Sequence, residues 1–218
     1  MLFRSVLVSF YVSFNAILLN HFHGPVAVGQ FSMADKIRIA GQTIFTVVGT
    51  AFYPRISQYY LTDPAAARAL MRRAMVVVFA LSGAMFVAIE LFASVGVRMW
   101  LGEPFHDTIL LLRMEAVLLP LTSVAFIFGN LGLMASGRHR AVRNIYAAVT
   151  VMHLLYAVPF VMYMGARGTV ISVLITEAAG AIAFYFCYRR EIAACVPAPA
   201  PARAPVAEES PTTKEMQA

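Results

Sequence analysis

The side chains able to do chemistry in this chain are charged and polar residues set within apolar runs. The densest group is Asp35, Lys36, Arg38 and Gln42, at the head of the charge-free stretch Ile39 to Tyr53. That stretch is 15 residues long, and at about 1.5 Å per residue it falls short of a hydrocarbon layer about 30 Å thick. A helix crossing the layer here must begin earlier and take in Asp35, Lys36 and Arg38. Projected at about 100° per residue, Asp35, Arg38, Gln42, Thr46, Gly49 and Tyr53 fall near one line. Thr43 and Thr50 lie beside it, and Lys36 sits at its edge. Such a stripe reads as one wall of a water-filled cavity, because a charge left in hydrocarbon is costly. The competing reading lets Lys36 and Arg38 snorkel to the headgroups while the threonines bond to carbonyls of their own helix.

Carboxylates give a second group. Glu177, in Ile175-Thr-Glu-Ala-Ala-Gly, sits mid-run and far from either interface. It reads either as a proton or cation relay or as a neutral carboxyl bonded to another helix, with His153 as a candidate partner. Glu90 lies nearer a run end. Arg113 and Glu115 are two positions apart, so they point to different sides of a helix and do not pair directly. Asn15 and Asn130 read as bridges between helices. There is no G-x-S-x-G, no HExxH and no phosphate-cradling glycine loop, and Cys187 and Cys195 have no metal-ligand partners nearby. The sequence therefore predicts no enzyme chemistry, no metal site and no cofactor.

The elements that must position these residues are membrane helices. Of the 218 residues 60% are hydrophobic and 13% charged, with a mean hydropathy of +0.73. Runs of bilayer length are predicted at Leu2 to Leu19, Ala34 to Tyr53, Met75 to Val97, Ile109 to Met134, Ile145 to Met164 and Thr169 to Tyr188. Pro120 and Pro159 are candidate kinks. A cleaved signal peptide is disfavoured, because no small-residue cleavage pattern follows the first run. The fold class predicted is all-α: a polytopic membrane protein with a six-helix bundle over residues 1–190. Residues 191–218, rich in Pro and Ala, are predicted to form a disordered cytoplasmic tail. The net charge of +6 sits mostly in loops, which argues for orientation in a membrane and against nucleic acid. Twelve of the 17 basic residues fall on one side of the layout, among them Arg4, Arg55, Arg72, Arg138 and Arg190, against Lys36, Arg38, Arg98 and Arg167 on the other. Both termini are therefore expected in the cytoplasm.

Gly24-Pro-Val-Ala-Val-Gly-Gln-Phe-Ser-Met-Ala-Asp-Lys-Ile, followed by Tyr53-Pro-Arg-Ile-Ser, resembles the bacterial O-antigen and polysaccharide flippase family. That family belongs to the superfamily of multidrug, oligosaccharidyl-lipid and polysaccharide exporters. The likeness continues through Leu101-Gly-Glu-Pro-Phe, Leu112-Arg-Met-Glu-Ala, Met134-Ala-Ser-Gly-Arg and Gly165-Ala-Arg-Gly-Thr. The order of motifs looks like the carboxy-terminal half of a twelve-span transporter, one lobe of a MATE-like flippase with its first helix standing where the seventh would be. The resemblance implies export of a polyprenyl-pyrophosphate-linked oligosaccharide across the bacterial inner membrane. It implies as partners membrane lipid, that lipid-linked oligosaccharide, and a complementary amino-terminal lobe or a second copy. Lys36, Arg38, Gln42 and Arg113 would then meet the pyrophosphate, and Glu177, with Glu90 behind it, would couple transport to an ion. Three alternatives stand beside this: half of a multidrug cation antiporter, which the basic stripe disfavours; an inactive or structural membrane fragment; and a membrane-embedded glycosyltransferase or polymerase, which the lack of a large periplasmic loop disfavours.

Overall fold

The computed structural model describes residues 2–100 and 106–194. The Leu101 to Phe105 motif, Cys195 and the predicted tail beyond Ala194 lie outside the described residues, while 191–194, expected in that tail, continue the last helix. What is described is helical apart from short turns, with no strand. In order the elements are α1 (Leu2–Thr50), α2 (Tyr53–Thr62), α3 (Pro64–Trp100), α4 (His106–Ala116), α5 (Leu118–Ala125), a π-helical segment (Phe126–Met134) and α6 (His139–Ala194).

The six expected spans are not six separate elements, because α1 and α6 each join two of them directly at a non-helical glycine. The 56 residues of α6 would reach about 84 Å as one straight rod, far beyond a hydrocarbon layer of about 30 Å. Gly165 breaks it, with φ 58° and ψ −135°, a conformation open to glycine at little cost. The two halves then lie side by side: Tyr146 stacks edge-on against Phe184 at 5.1 Å. The 49 residues of α1 are interrupted in the same way at Gly24, with φ 79° and ψ 178°, and Pro25 follows. Both breaks meet in space, since His23 Nε2 lies 2.8 Å from the Val161 carbonyl oxygen. The bend in α6 is thus at Gly165 and not at Pro159.

Pro120 has no N–H to offer the Ala116 carbonyl, so a helical bond is missing between α4 and α5, while Val117 between them keeps helical angles, φ −60° and ψ −26°. The rod then widens into the π segment, which closes with Ala135 N–H donating to the Asn130 carbonyl at 3.2 Å. Gly132 lets the second half of α6 approach closely here, because a Cβ on it would stand 2.6 Å from the Tyr188 ring.

Among the described residues, three helical stretches are long and apolar enough to cross a membrane, Pro64–Met99, Thr108–Met134 and His139–Glu191. Polarity is distributed inside out relative to a protein folded in water. Leu61, Val26, Leu155, Tyr163, Leu91 and Phe92 are exposed, while Asn15, Ser82, Glu115, Ser123, His153 and Ser172 are buried. Lipid can solvate the first group, and only other helices can satisfy the second. The chain is an all-α, multi-pass membrane protein. Its interior holds two apolar clusters. One gathers Phe45, Ile56, Met71, Phe126 and Phe184, the other Leu19, Phe31, Ala34, Ile109 and Val161.

Candidate functional site

The seam between the two clusters is polar. On α1 it falls between Ala34, in one cluster, and Phe45, in the other; on α4 and α5 it falls between Leu112 and Leu119. Arg38 and Gln42 occupy the first interval and Glu115 the second. Helical spacing produces the arrangement: Asp35, Arg38 and Gln42 are separated by three and four residues, so they stack on one face. Arg38 Nε–H donates to Asp35 Oδ1 at 3.1 Å, its second guanidinium nitrogen also binds that oxygen, and Nη1–H donates to Gln42 Oε1 at 2.7 Å. From α4, Glu115 Oε2 comes within 3.6 Å of Arg38 Nε. The Glu115 side chain is 1% exposed against 12% for Arg38, and neither of its oxygens accepts a hydrogen bond. One guanidinium therefore stands between two carboxylates, fixed by one of them and by an amide.

The predicted stripe on α1 divides. Asp35, Arg38 and Gln42 form the linked cluster. Lys36, Thr43 and Thr50 are exposed, on a line that turns away from the bundle. The threonines behave as the bland reading requires: Thr43 Oγ1 donates to the Ile39 carbonyl at 2.8 Å, Thr46 to Thr43 at 3.0 Å and Thr50 to Val47 at 2.8 Å. Arg113 lies apart from Arg38 and faces Glu90 across a 3.8 Å ion pair, both side chains partly exposed. Arg113 and Glu115 thus do point to different sides, each toward a partner on another helix.

Glu177 is half-buried on the second half of α6, within electrostatic reach of Tyr156. Its neighbour Thr176 belongs to a buried network. His153 Nδ1 lies 2.6 Å from Thr176 Oγ1, and Nε2 lies 3.0 Å from Asn15 Oδ1. Tyr156 also meets Thr176 Oγ1, which donates to the Ser172 carbonyl at 2.7 Å. Asn15 is therefore a bridge between helices, joining the first half of α1 to α6. A cavity of about 200 Å³ lies by the two glycine breaks, lined by His23, Gln30, Leu111, Met164 and Arg167.

Sequence reasoning placed Glu115 on a different side from Arg113 but gave it no role. The available signal was its spacing, since Leu112, Glu115 and Leu119 share a helix face. That face is buried, but in a run apolar all round, periodicity does not say which face turns inward.

No family model matches the chain. A Shigella dysenteriae protein provisionally named an O-antigen transporter is 34% identical over 173 residues, covering 78% of this chain and 42% of that protein. A protein of the same provisional name from Escherichia coli strain K12 is 25% identical over 170 residues, covering 78% of this chain and 41% of its own length. Among solved structures, an outward-facing multidrug resistance MATE family transporter of the MOP superfamily matches with a TM-score of 0.77 and 22% identity. That match covers 88% of this chain and 44% of the transporter. The chain thus spans under half the length of the relatives it matches. Its helices trace the fold of part of a MATE transporter, and by sequence the chain belongs to the O-antigen flippase family.

Proposed function

We propose that this chain is one lobe, the carboxy-terminal one, of a flippase in the bacterial inner membrane. Its cargo is a polyprenyl-pyrophosphate-linked oligosaccharide, and its termini are cytoplasmic. Arg38 carries the reading: it is a permanently charged group in the seam of the lobe, aimed by Asp35 and Gln42. A pyrophosphate crossing the membrane needs such a charge, because bare phosphate oxygens in hydrocarbon are prohibitively costly, and guanidinium matches them with two parallel hydrogen bonds. Gln42 holds the fork in place. Lys36, exposed on the same side as Thr43 and Thr50, belongs to the surface that a facing lobe or second copy would complete into a cavity. Arg113, paired with Glu90, is a second anion contact nearer the interface, and Glu177 is the carboxylate for coupling to an ion.

The test is export in a flippase-deficient strain expressing an assembled transporter that contains this lobe. Arg38→Ala should lower export more than tenfold, since a lost charge-assisted contact costs about 1.5 to 3 kcal/mol. Lys36→Ala should lower it less, and Arg167→Ala, in the outer connector, should leave it near the parent. Full export by Arg38→Ala at normal protein level would return the residue to a snorkelling role.

A further inference from the structure

The seam holds one positive charge and two negative ones. Asp35 keeps some contact with water at 17% side-chain exposure, whereas Glu115 at 1% has none, and its oxygens accept no hydrogen bond. Elsewhere in the described interior, buried hydroxyls mostly donate to a carbonyl of their own helix, as those of Thr122, Thr169 and Ser172 do, and Asn15 and His153 meet side chains across the bundle. A buried carboxylate without donors is held ionised only by its counter-charge, and here that is Arg38, 3.6 Å away and shared with Asp35. Among the described residues no other ion pair to Glu115 forms. From α3, Glu90 is committed to Arg113. From α6, Arg167 is exposed and shares with Leu111, one turn before Glu115, the lining of the cavity by the glycine breaks. The segment Leu118–Ala125 contains no titratable residue.

We propose that Glu115 is a proton-binding site whose occupancy is set by Arg38: an anion that draws the guanidinium away leaves Glu115 to take up a proton. The inference rests on reading Arg38 as the anion-holding residue, and it gives that residue a second role. In the unloaded lobe Arg38 faces Glu115. When a phosphate group engages Arg38, the Arg38 to Glu115 ion pair breaks, the Arg38 to phosphate pair forms, and one proton from the aqueous phase bonds to a Glu115 oxygen. Release of the anion reverses each step and returns the proton. Anion and proton therefore load together, and the link lies in one side chain that cannot serve both partners.

The experiment uses the full chain in lipid nanodiscs, with inorganic pyrophosphate as the probe. Calorimetry in buffers of different ionisation enthalpy counts protons taken up on binding. The parent should take up about one proton more per pyrophosphate than Glu115→Gln, which removes the background from pyrophosphate itself. Glu115→Gln should also bind pyrophosphate about tenfold more tightly, because the anion no longer competes with a carboxylate for Arg38. A residue that merely props the helices would weaken binding when altered. Infrared difference spectra of the parent alone give an independent reading: a protonated-carboxyl band should appear on pyrophosphate addition. Binding that depends on Arg38 but brings equal proton uptake in parent and Glu115→Gln, with no new carboxyl band, would overturn the exchange while leaving Arg38 as an anion site. Absence of pyrophosphate binding, or binding indifferent to Arg38→Gln, would overturn both.

Discussion

The pairing of Arg38 with Glu115 makes a stability prediction of definite sign and size. At 3.6 Å and an effective dielectric of about 20, the attraction is about 4 to 5 kcal/mol. Much of that only offsets the cost of taking both charges out of water, so the pair as a whole adds little net stability. Breaking it from one side is another matter. Arg38→Met keeps most of the side-chain volume but leaves Glu115 buried with Asp35 as its nearest charge, and should cost about 3 kcal/mol at neutral pH. Glu115→Gln leaves Arg38 with Asp35 and Gln42, and should change stability by less than about 1 kcal/mol. The double variant leaves only Asp35 without its cation, and that carboxylate keeps contact with water at 17% side-chain exposure, so stability should return to within about 1.5 kcal/mol of the parent, a coupling of roughly 2 kcal/mol. The deficit of Arg38→Met should shrink as the pH falls, because neutralising the stranded carboxyl then costs less. Reversible unfolding of the purified chain in mixed micelles, followed by helicity, measures all four proteins. An Arg38→Met variant within about 0.5 kcal/mol of the parent, with additive effects in the double variant, would refute the buried pair.

Three further outcomes are expected. A Cβ on Gly168 would collide with the Phe160 carbonyl oxygen across the Gly165 turn, while one on Gly83 meets nothing within 4 Å; Gly168→Ala should therefore lose about 3 kcal/mol or more and Gly83→Ala should lose none, and equal melting temperatures would show that the turn is looser than described. His153→Phe takes from buried Asn15 its partner on α6, while Thr176 keeps Ser172 and Tyr156, and should cost about 1 to 3 kcal/mol while His153→Gln costs less; thermal unfolding in detergent separates the two, and a smaller loss for Phe than for Gln would mean the ring matters for its bulk alone. For topology, single cysteines at Thr62 and Arg167 in a variant lacking Cys187 and Cys195 should be respectively protected from and labelled by an impermeant thiol reagent in intact cells, and the reverse pattern would invert the orientation drawn from the basic residues.

The parts of the fold that were legible in the sequence are those governed by composition along one dimension. Apolar runs of bilayer length and the i, i+3, i+7 spacing of Asp35, Arg38 and Gln42 each fix a local outcome, and the hydrogen bonds of Arg38 follow from that spacing. Breaks were harder to place. Proline is the familiar suspect, yet Pro159 lies within unbroken helix and the chain turns at Gly165, because a reversal of direction needs a positive φ, which proline cannot supply and glycine can. Pro120 lacks an N–H in the same way, and its rod runs on through helical angles at Val117.

What the sequence could not display is which side of an all-apolar helix faces its neighbours. The sequence says of Glu115 only that it points away from Arg113, yet the four-residue offset from Leu119 carries it into the seam, and the two-residue offset from Arg113 carries that arginine out to Glu90. In water such a helix would announce its inner face through its polar outer one. In lipid that contrast is gone, and the sparse charges are the only markers of orientation left. Each must find a partner or reach an interface. Arg38 resolves the ambiguity, because a guanidinium fixed by two neighbours on its own helix has one direction left in which to meet the rest of the bundle, and the residue it meets there is Glu115.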